Sequence, residues 1–467
     1  MSRSGTIGRL AIVLHTHMPE VLGHGVWPFG EQWLWEAIGE SYLKVADAIE
    51  GHPVTLGVTP VLADQFEALR GEAGDRYPTW VTETREYVFG EDMRSFHEVG
   101  RGDLNEALAP QLADHRGAVA RLDGELGRDL NGLLASLASS GVELLAGPAT
   151  HPVMPLLASR YGRELQLQRG LQSHRERFGE ARGIWLPECA FTRGLDEDLA
   201  RAGVEYFCVD QSGVHGELAL ENLEPIATPA GPVALPIDWH TVKQVWDEAG
   251  FPSADAYRST FARTIHDLMP YDNLGKAWQP AAARALAEAH ADKFLRALAA
   301  RLEHCSAERG QPGSVVFAAD TELFGHWWYE GPWWLAAVLA RAADYGIELV
   351  TLGGLVDSAT PTRRAVERSS WGTAKSLITW DSPRTAEIVF AQRRAELVLE
   401  AASAGGALDQ AALATAEREL LALQASDWAF MESGDRTGDY GARRFAGHLS
   451  AFEHATLQPT VFSPTGT

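Results

Sequence analysis

The 467 residues carry 40 Lys and Arg against 63 Asp and Glu, a formal charge of −23, which excludes tight binding to nucleic acid or an anionic membrane, since both need clustered cations. With 45% hydrophobic residues, no apolar run long enough to span a bilayer, and a start (MSRSGTIGRLAIVLHTH) that lacks the core of a secretion signal, the chain reads as a cytoplasmic globular protein. Three widely spaced cysteines, Cys189, Cys208 and Cys305, argue against a disulfide framework and a cysteine zinc site.

In chain order the apolar runs are LAIVLH (10–15), VTLGV (54–58), VELLAG (142–147), GIWLPE (183–188), YFCVD (206–210), VALPID (233–238), VVFAAD (315–320) and IELVTL (347–352). They are nearly continuous instead of alternating, the mark of parallel strands covered on both faces. Helical patterns such as EQWLWEAIGESYLKVADAIE and RGLDEDLARAG lie between them. Strands alternating with helices give an α/β fold, and seven or eight such strands within residues 1–360 predict a closed (β/α) barrel. Pro187 cannot donate to a ladder, so GIWLP stops there and presents Glu188 at the strand mouth.

Two segments interrupt the rhythm. From about 62 to 140 the pattern is charged and helical, an insertion between two strands. Beyond about 361, to 467, it predicts a C-terminal helical domain. There Leu413, Ala416, Leu420 and Leu423 form one apolar stripe, and Asp409 stands as N-cap after Gly405 and Gly406.

Active sites of parallel barrels lie at the C-terminal strand ends. The polar residues there are His15, His17, His151, Glu188, Asp210, Asp238 and Asp320. Any one of them fits a local cap or ion pair; seven at one end of independent strands point to a site. The fifteen tryptophans cluster at Trp33–Trp35 and in HWWYEGPWW, as core or as platforms for the apolar faces of sugars. Two chemistries compete. His15 and His17 share one strand face, so metal-assisted hydrolysis could draft them with His151 and Asp320. Alternatively, Glu188 and Asp320 form a nucleophile and an acid for glycosyl transfer. Tryptophan abundance and the thin His/Asp cluster favour the second.

LHTHMPEVLGHGVWPFGEQWLWEAIGESYLKV, ELLAGPATHPVMPLL, GIWLPECAF, AADTELFGHWWYEGPWWL and LLALQASDWAFMESGDRTGDYGARRFAGHL resemble, in order, segments of glycoside hydrolase family 57, and within it the 1,4-α-glucan branching enzymes. The resemblance covers nearly the whole chain. It implies a (β/α)7 barrel with an inserted helical subdomain, a C-terminal helical domain that helps close the cleft, and a retaining mechanism without metal or other cofactor. Glu188 resembles the nucleophile and Asp320 the general acid/base, a pairing that needs carboxyls about 5–5.5 Å apart. His15 and His151 resemble the histidines around the cleaved sugar. Trp27, Asp238, Trp246, Trp371, Asp427 and Trp428 fall in segments bordering the glucan cleft, while His17, Trp328 and Trp333 are expected in the core. The implied partner is an α-glucan (amylose, glycogen or a modified storage polysaccharide).

The likeness frays in three places. The family's branching members carry a tyrosine on a loop over the site, yet no tyrosine lies between Tyr206 and Tyr257 here. Ile237 precedes Asp238 where the family has arginine, and the stretch after SSWG is shorter and differently built. A 4-α-glucanotransferase, an α-amylase-type hydrolase and a glucan-binding protein with little catalysis therefore stand as alternatives. The sequence leaves the oligomeric state open.

Overall fold

The structure, a computed structural model, describes residues 6–434 and 437–457. The ends of the expected N-terminal and C-terminal segments (1–5 and 458–467) and two residues of the DRTGDY turn lie outside the described residues.

Seven parallel strands form the barrel: β1 (Gly8–Thr16), β2 (Thr55–Val58), β3 (Glu143–Leu145), β4 (Gly183–Ile184), β5 (Tyr206–Val209), β6 (Val233–Pro236) and β7 (Gly313–Asp320). β3, β2, β1 and β7 pair in that order, as do β6, β5 and β4. Ala146 joins β3 to β4 through a parallel bridge to Ile184, and the Asp238 N–H donates to the Val316 carbonyl at 2.9 Å, closing β6 onto β7. The ring thus has seven members.

The eighth apolar run forms only a short strand, Ile347–Leu349, on the first three residues of β1. β7 already occupies one edge of β1 along its full length, so this strand shares the other edge with β2. A two-residue strand, Ile226–Ala227, adds an antiparallel contact to β6 that the periodicity does not signal.

Strand alternation sorts side chains into two layers. Ala11 and Val13 of β1, Cys208 of β5, and Val316 and Ala318 of β7 fill the barrel interior. Leu10, Ile12, Leu14, Val315 and Phe317 face the surrounding helices. Continuing the same period places His15 and Asp320 on the inner face at the C-terminal mouth, and these two are register partners. The three cysteines are buried free thiols.

Between β2 and β3 run the helices Pro60–Ala68, Glu72–Thr79, Glu86–Glu98, Gly102–Asp123 and Leu130–Ser139. After the barrel come Ala386–Gly405, Gln410–Leu423, Ser426–Gly434 and Tyr440–Leu457. Asp409 accepts from the Ala412 N–H at 2.8 Å, and Ala416, Leu420 and Leu423 are fully buried. Glu396, also fully buried, accepts the backbone N–H groups of Ala158 and Ser159, pinning this helical region to the loop after β3. Among the described residues no helix is long and apolar enough to cross a membrane.

Candidate active site

β4 ends sooner than its apolar run. After Trp185 the chain enters a turn, Pro187–Cys189, in which Glu188 adopts φ 59° and ψ 18°. His151, after β3, has φ 58°. Both lie in the left-handed region, which costs a non-glycine residue about 1–3 kcal/mol and persists only where surroundings enforce it. The two strained residues meet: His151 Nδ1 lies 3.9 Å from Glu188 Oε1.

Glu188 is held on both oxygens. The Trp371 indole N–H donates to Oε2 at 2.7 Å, and the Ser426 hydroxyl donates to Oε1 at 3.3 Å. The same hydroxyl lies 2.9 Å from His151 Nδ1, while His151 Nε2 is 2.9 Å from His15 Nε2. His15 stacks on Trp185 at 4.7 Å between centroids, and Trp185 in turn meets Trp371 at 5.0 Å. Gly57 of β2 faces His15 and Trp185, where an added Cβ would come into van der Waals contact with both.

His17, expected in the core, belongs to the site instead. Its Nε2 contacts both oxygens of Asp427, at 3.0 and 3.1 Å, and its ring stacks on His151 at 4.1 Å. Asp427 is 410 positions away in sequence. Glu322, two residues beyond Asp320, is a third carboxyl here, bonded by the Tyr42 hydroxyl.

Burial pushes Glu188 from the usual carboxyl range to about 7, with Asp427's charge adding and the Trp371 and Ser426 hydrogen bonds opposing. Asp320 is driven well above its ordinary value by burial, then by the charges of Glu322 and Glu188. For His17, burial works downward, but Asp427, by charge and hydrogen bond, brings it out above the ordinary imidazole value. Burial drops His15 and His151 well below it, His17 adding to both. Burial thus disfavours the charged form of His15 and His151, Asp427 favours it for His17, and the neighbouring carboxyls resist ionising together.

The remaining expected residues divide. Trp371 and Asp427 are in the cluster. Trp27 is 72% exposed, and Trp246, 44% exposed, stacks on Trp327, 50% exposed, at 6.5 Å. Asp238 and Trp428 depart from the expectation of sugar-facing residues. Asp238 has no exposed surface and gives both oxygens to Arg301, at 2.7 and 2.8 Å. Trp428 is buried under the C-terminal helices, its indole N–H on the Ala422 carbonyl. Asp210 is likewise fully buried, paired with Lys375. Trp328 lies in the core as expected, and Trp333 packs against it half-buried. Sequence reasoning missed Glu322 and Ser426. The DTE triplet signals the first, since its two acids flank one residue at a strand end; nothing local signals the second.

His17, His151 and Asp427 each offer a ligand atom within 4.8 Å of the others. Imidazole binds a metal in its own ring plane at about 2.0–2.1 Å. Two rings stacked at 4.1 Å with planes 21° apart cannot both aim at one ion without turning.

Comparison with known proteins matches the chain to a family. The model described as glycosyl hydrolase family 57 matches residues 11–366, and that described as 1,4-alpha-glucan branching enzyme, C-terminal, matches residues 388–458. A Mycobacterium tuberculosis protein described as a probable 1,4-alpha-glucan branching enzyme is 33% identical, over 98% of this chain and 92% of its own. Among solved structures, the family 57-type branching enzyme of Pyrococcus horikoshii is similar with a TM-score of 0.88 and 29% identity, covering 96% of this chain and 90% of that one. That of Thermococcus kodakaraensis, in complex with glucose, gives 0.86 and 28% over the same shares.

Proposed function

The chain belongs to glycosyl hydrolase family 57, and from that premise we propose that it is a retaining 1,4-α-glucan branching enzyme, acting in the cytoplasm. It cleaves an α-1,4 linkage and moves the freed chain to a 6-hydroxyl. The observation that carries the reading is geometric: Asp320, at the end of β7, is the register partner of His15, whose imidazole meets His151 at 2.9 Å, and His151 lies 3.9 Å from Glu188 after β4, so both carboxyls stand at one barrel mouth.

The roles are those of a retaining pair of carboxyls. Asp320, kept protonated, gives its proton to the glycosidic oxygen as that bond breaks. Glu188, ionised, attacks the anomeric carbon and forms the covalent glucosyl-enzyme. Asp320, now a carboxylate, takes the proton of the incoming 6-hydroxyl, whose oxygen displaces Glu188 and restores the configuration. The His17 cation favours ionised Glu188. His15 and His151, being neutral, offer hydrogen bonds to sugar hydroxyls without competing for charge. Neither step needs a metal or cofactor. Trp27, Trp246 and Trp327 provide exposed indoles where the flat faces of glucose units stack.

Hydrolysis is the second reading, favoured by one observation: the chain between Tyr206 and Tyr257 brings no tyrosine to shield the intermediate. Incubation with amylose, counting α-1,6 linkages and new reducing ends separately, tests the proposal. Branching gives α-1,6 linkages in excess of free reducing ends. Reducing ends without α-1,6 linkages refute branching and establish the hydrolase.

A further inference from the structure

The loop that carries Trp371 is anchored from its far side by a buried ion pair that the steps above leave unused. Lys375 Nζ donates to Asp210 Oδ2 at 2.7 Å and stands 3.0 Å from the centre of the Trp239 ring. Asp210 follows β5 directly, and its other oxygen accepts the Ser212 N–H and hydroxyl. Gln211 grips the opposite limb of the loop, donating to the Glu367 carbonyl and Ser369 hydroxyl and accepting the Glu367 N–H.

The loop closes on itself. The Ser370 N–H donates to the Lys375 carbonyl at 3.3 Å, and the Lys375 N–H to the Gly372 carbonyl at 3.0 Å. Its inner side meets the catalytic turn twice, through the Trp371 N–H on the Glu188 carbonyl at 2.9 Å and the indole N–H on Glu188 Oε2. The tip has little packing: Thr373 and Ala374 are exposed. Ala374 and Lys375 both have φ 54°, a conformation such residues keep only under constraint. Ser370 and Thr379 accept the Gly372 and Thr373 N–H groups within the loop, and Lys375 is the tip side chain that reaches from it to the end of another strand.

We propose that Lys375 is a positioning residue: its ion pair with Asp210 fixes the 370–375 loop so that Trp371 stays bonded to Glu188 and the carboxylate keeps its line of attack. The ends of two neighbouring strands, β4 with Glu188 and β5 with Asp210, are thereby tied together through one loop. This rests on the reading of Glu188 as nucleophile given above. A merely structural Lys375 would neutralise Asp210 and leave Glu188 untouched.

The test uses full-length variants: Lys375→Met, the pair Lys375→Met/Asp210→Asn, Trp371→Phe, and Lys375→Met/Trp371→Phe. The second removes both charges together, so no buried charge is stranded if Lys375→Met alone fails to fold. Cleavage of amylose is measured across pH, with circular dichroism confirming the fold. Glu188 also faces His17, Asp427, His151 and Asp320, which none of these substitutions alters. Lys375→Met, or the pair, is expected to lower kcat about 10- to 100-fold, the scale of an ångström of misplacement, with KM within about twofold. The acidic limb of the pH profile moves upward, because the Trp371 hydrogen bond opposes protonation of Glu188. Trp371→Phe reproduces both changes, and adding Lys375→Met to it costs nothing more. Wild-type kcat and acidic limb in a folded Lys375 variant, or losses that multiply with Trp371→Phe, overturn the proposal alone. An unaffected Trp371→Phe overturns it together with the assignment of Glu188.

Discussion

Replacing Glu188 with glutamine removes the proposed nucleophile and, on the electrostatics of its turn, should stabilise the fold. The carboxyl rises from 4.5 to about 7 on burial, and its side chain is 16% exposed. That displacement corresponds to about 3 kcal/mol against the ionised folded state. The sign follows from the direction. A group whose folded pKa lies above its unfolded one contributes in full below about 4.5, and the contribution is lost as pH rises through about 7. Glutamine keeps an oxygen for the Trp371 N–H and carries no charge, so it escapes the loss. At pH 8 the variant should exceed the wild type by about 3 kcal/mol, or about 3 °C in Tm for a chain this long. At pH 5 the gap should shrink below about 1 kcal/mol. Chemical and thermal unfolding of both proteins at the two pH values reads this directly. A Glu188→Gln protein that is less stable at pH 8, or offset equally at both, would refute a desolvated carboxylate in a strained turn.

Other outcomes follow from the same geometry. kcat/KM should fall as pH drops below about 7, where Glu188 protonates, and fall again in alkali as Asp320 ionises; Glu322→Gln removes a charge that lifts Asp320, so the alkaline limb alone should move down. Asp320→Asn should cost several orders of magnitude in rate, measured as reducing ends plus transfer products, because the leaving oxygen loses its proton donor. Arg301→Met leaves Asp238 buried and unpaired, and should destabilise by about 3–5 kcal/mol in urea unfolding. Trp246→Ala should raise KM for long amylose by up to about tenfold, or about 1.4 kcal/mol, while leaving short maltooligosaccharides nearly unchanged.

What the sequence disclosed tracks the reach of each signal. The two-residue period of β1 and β7 carries His15 and Asp320 to the mouth, and any reader of LAIVLHTH and VVFAAD can count to them. Proline after IWL marks the turn that bears Glu188, but β4 has already ended at Ile184, and the left-handed conformation of Glu188 is a tertiary effect. His17 looked like packing because its partner, Asp427, comes from the far end of the chain. The opposite error befell Asp238 and Trp428. Their positions suggested the cleft, but Arg301 and the Ala422 carbonyl claim them from below. IELVTL has the composition of a barrel strand, yet β7 and β2 already flank the upper half of β1, which leaves it only three residues to pair. Local pattern thus locates groups along an element; it does not reveal which distant side chain reaches them first.

Ser426 and Asp427 reach Glu188 and His17 from a helix that begins more than a hundred residues after β7 ends. A nascent polypeptide that has completed its ring of strands still lacks the counter-ion of one histidine and the hydroxyl bridging another to the carboxylate. The buried network around Glu188 and His17 is therefore complete only late in synthesis, when that helix seats.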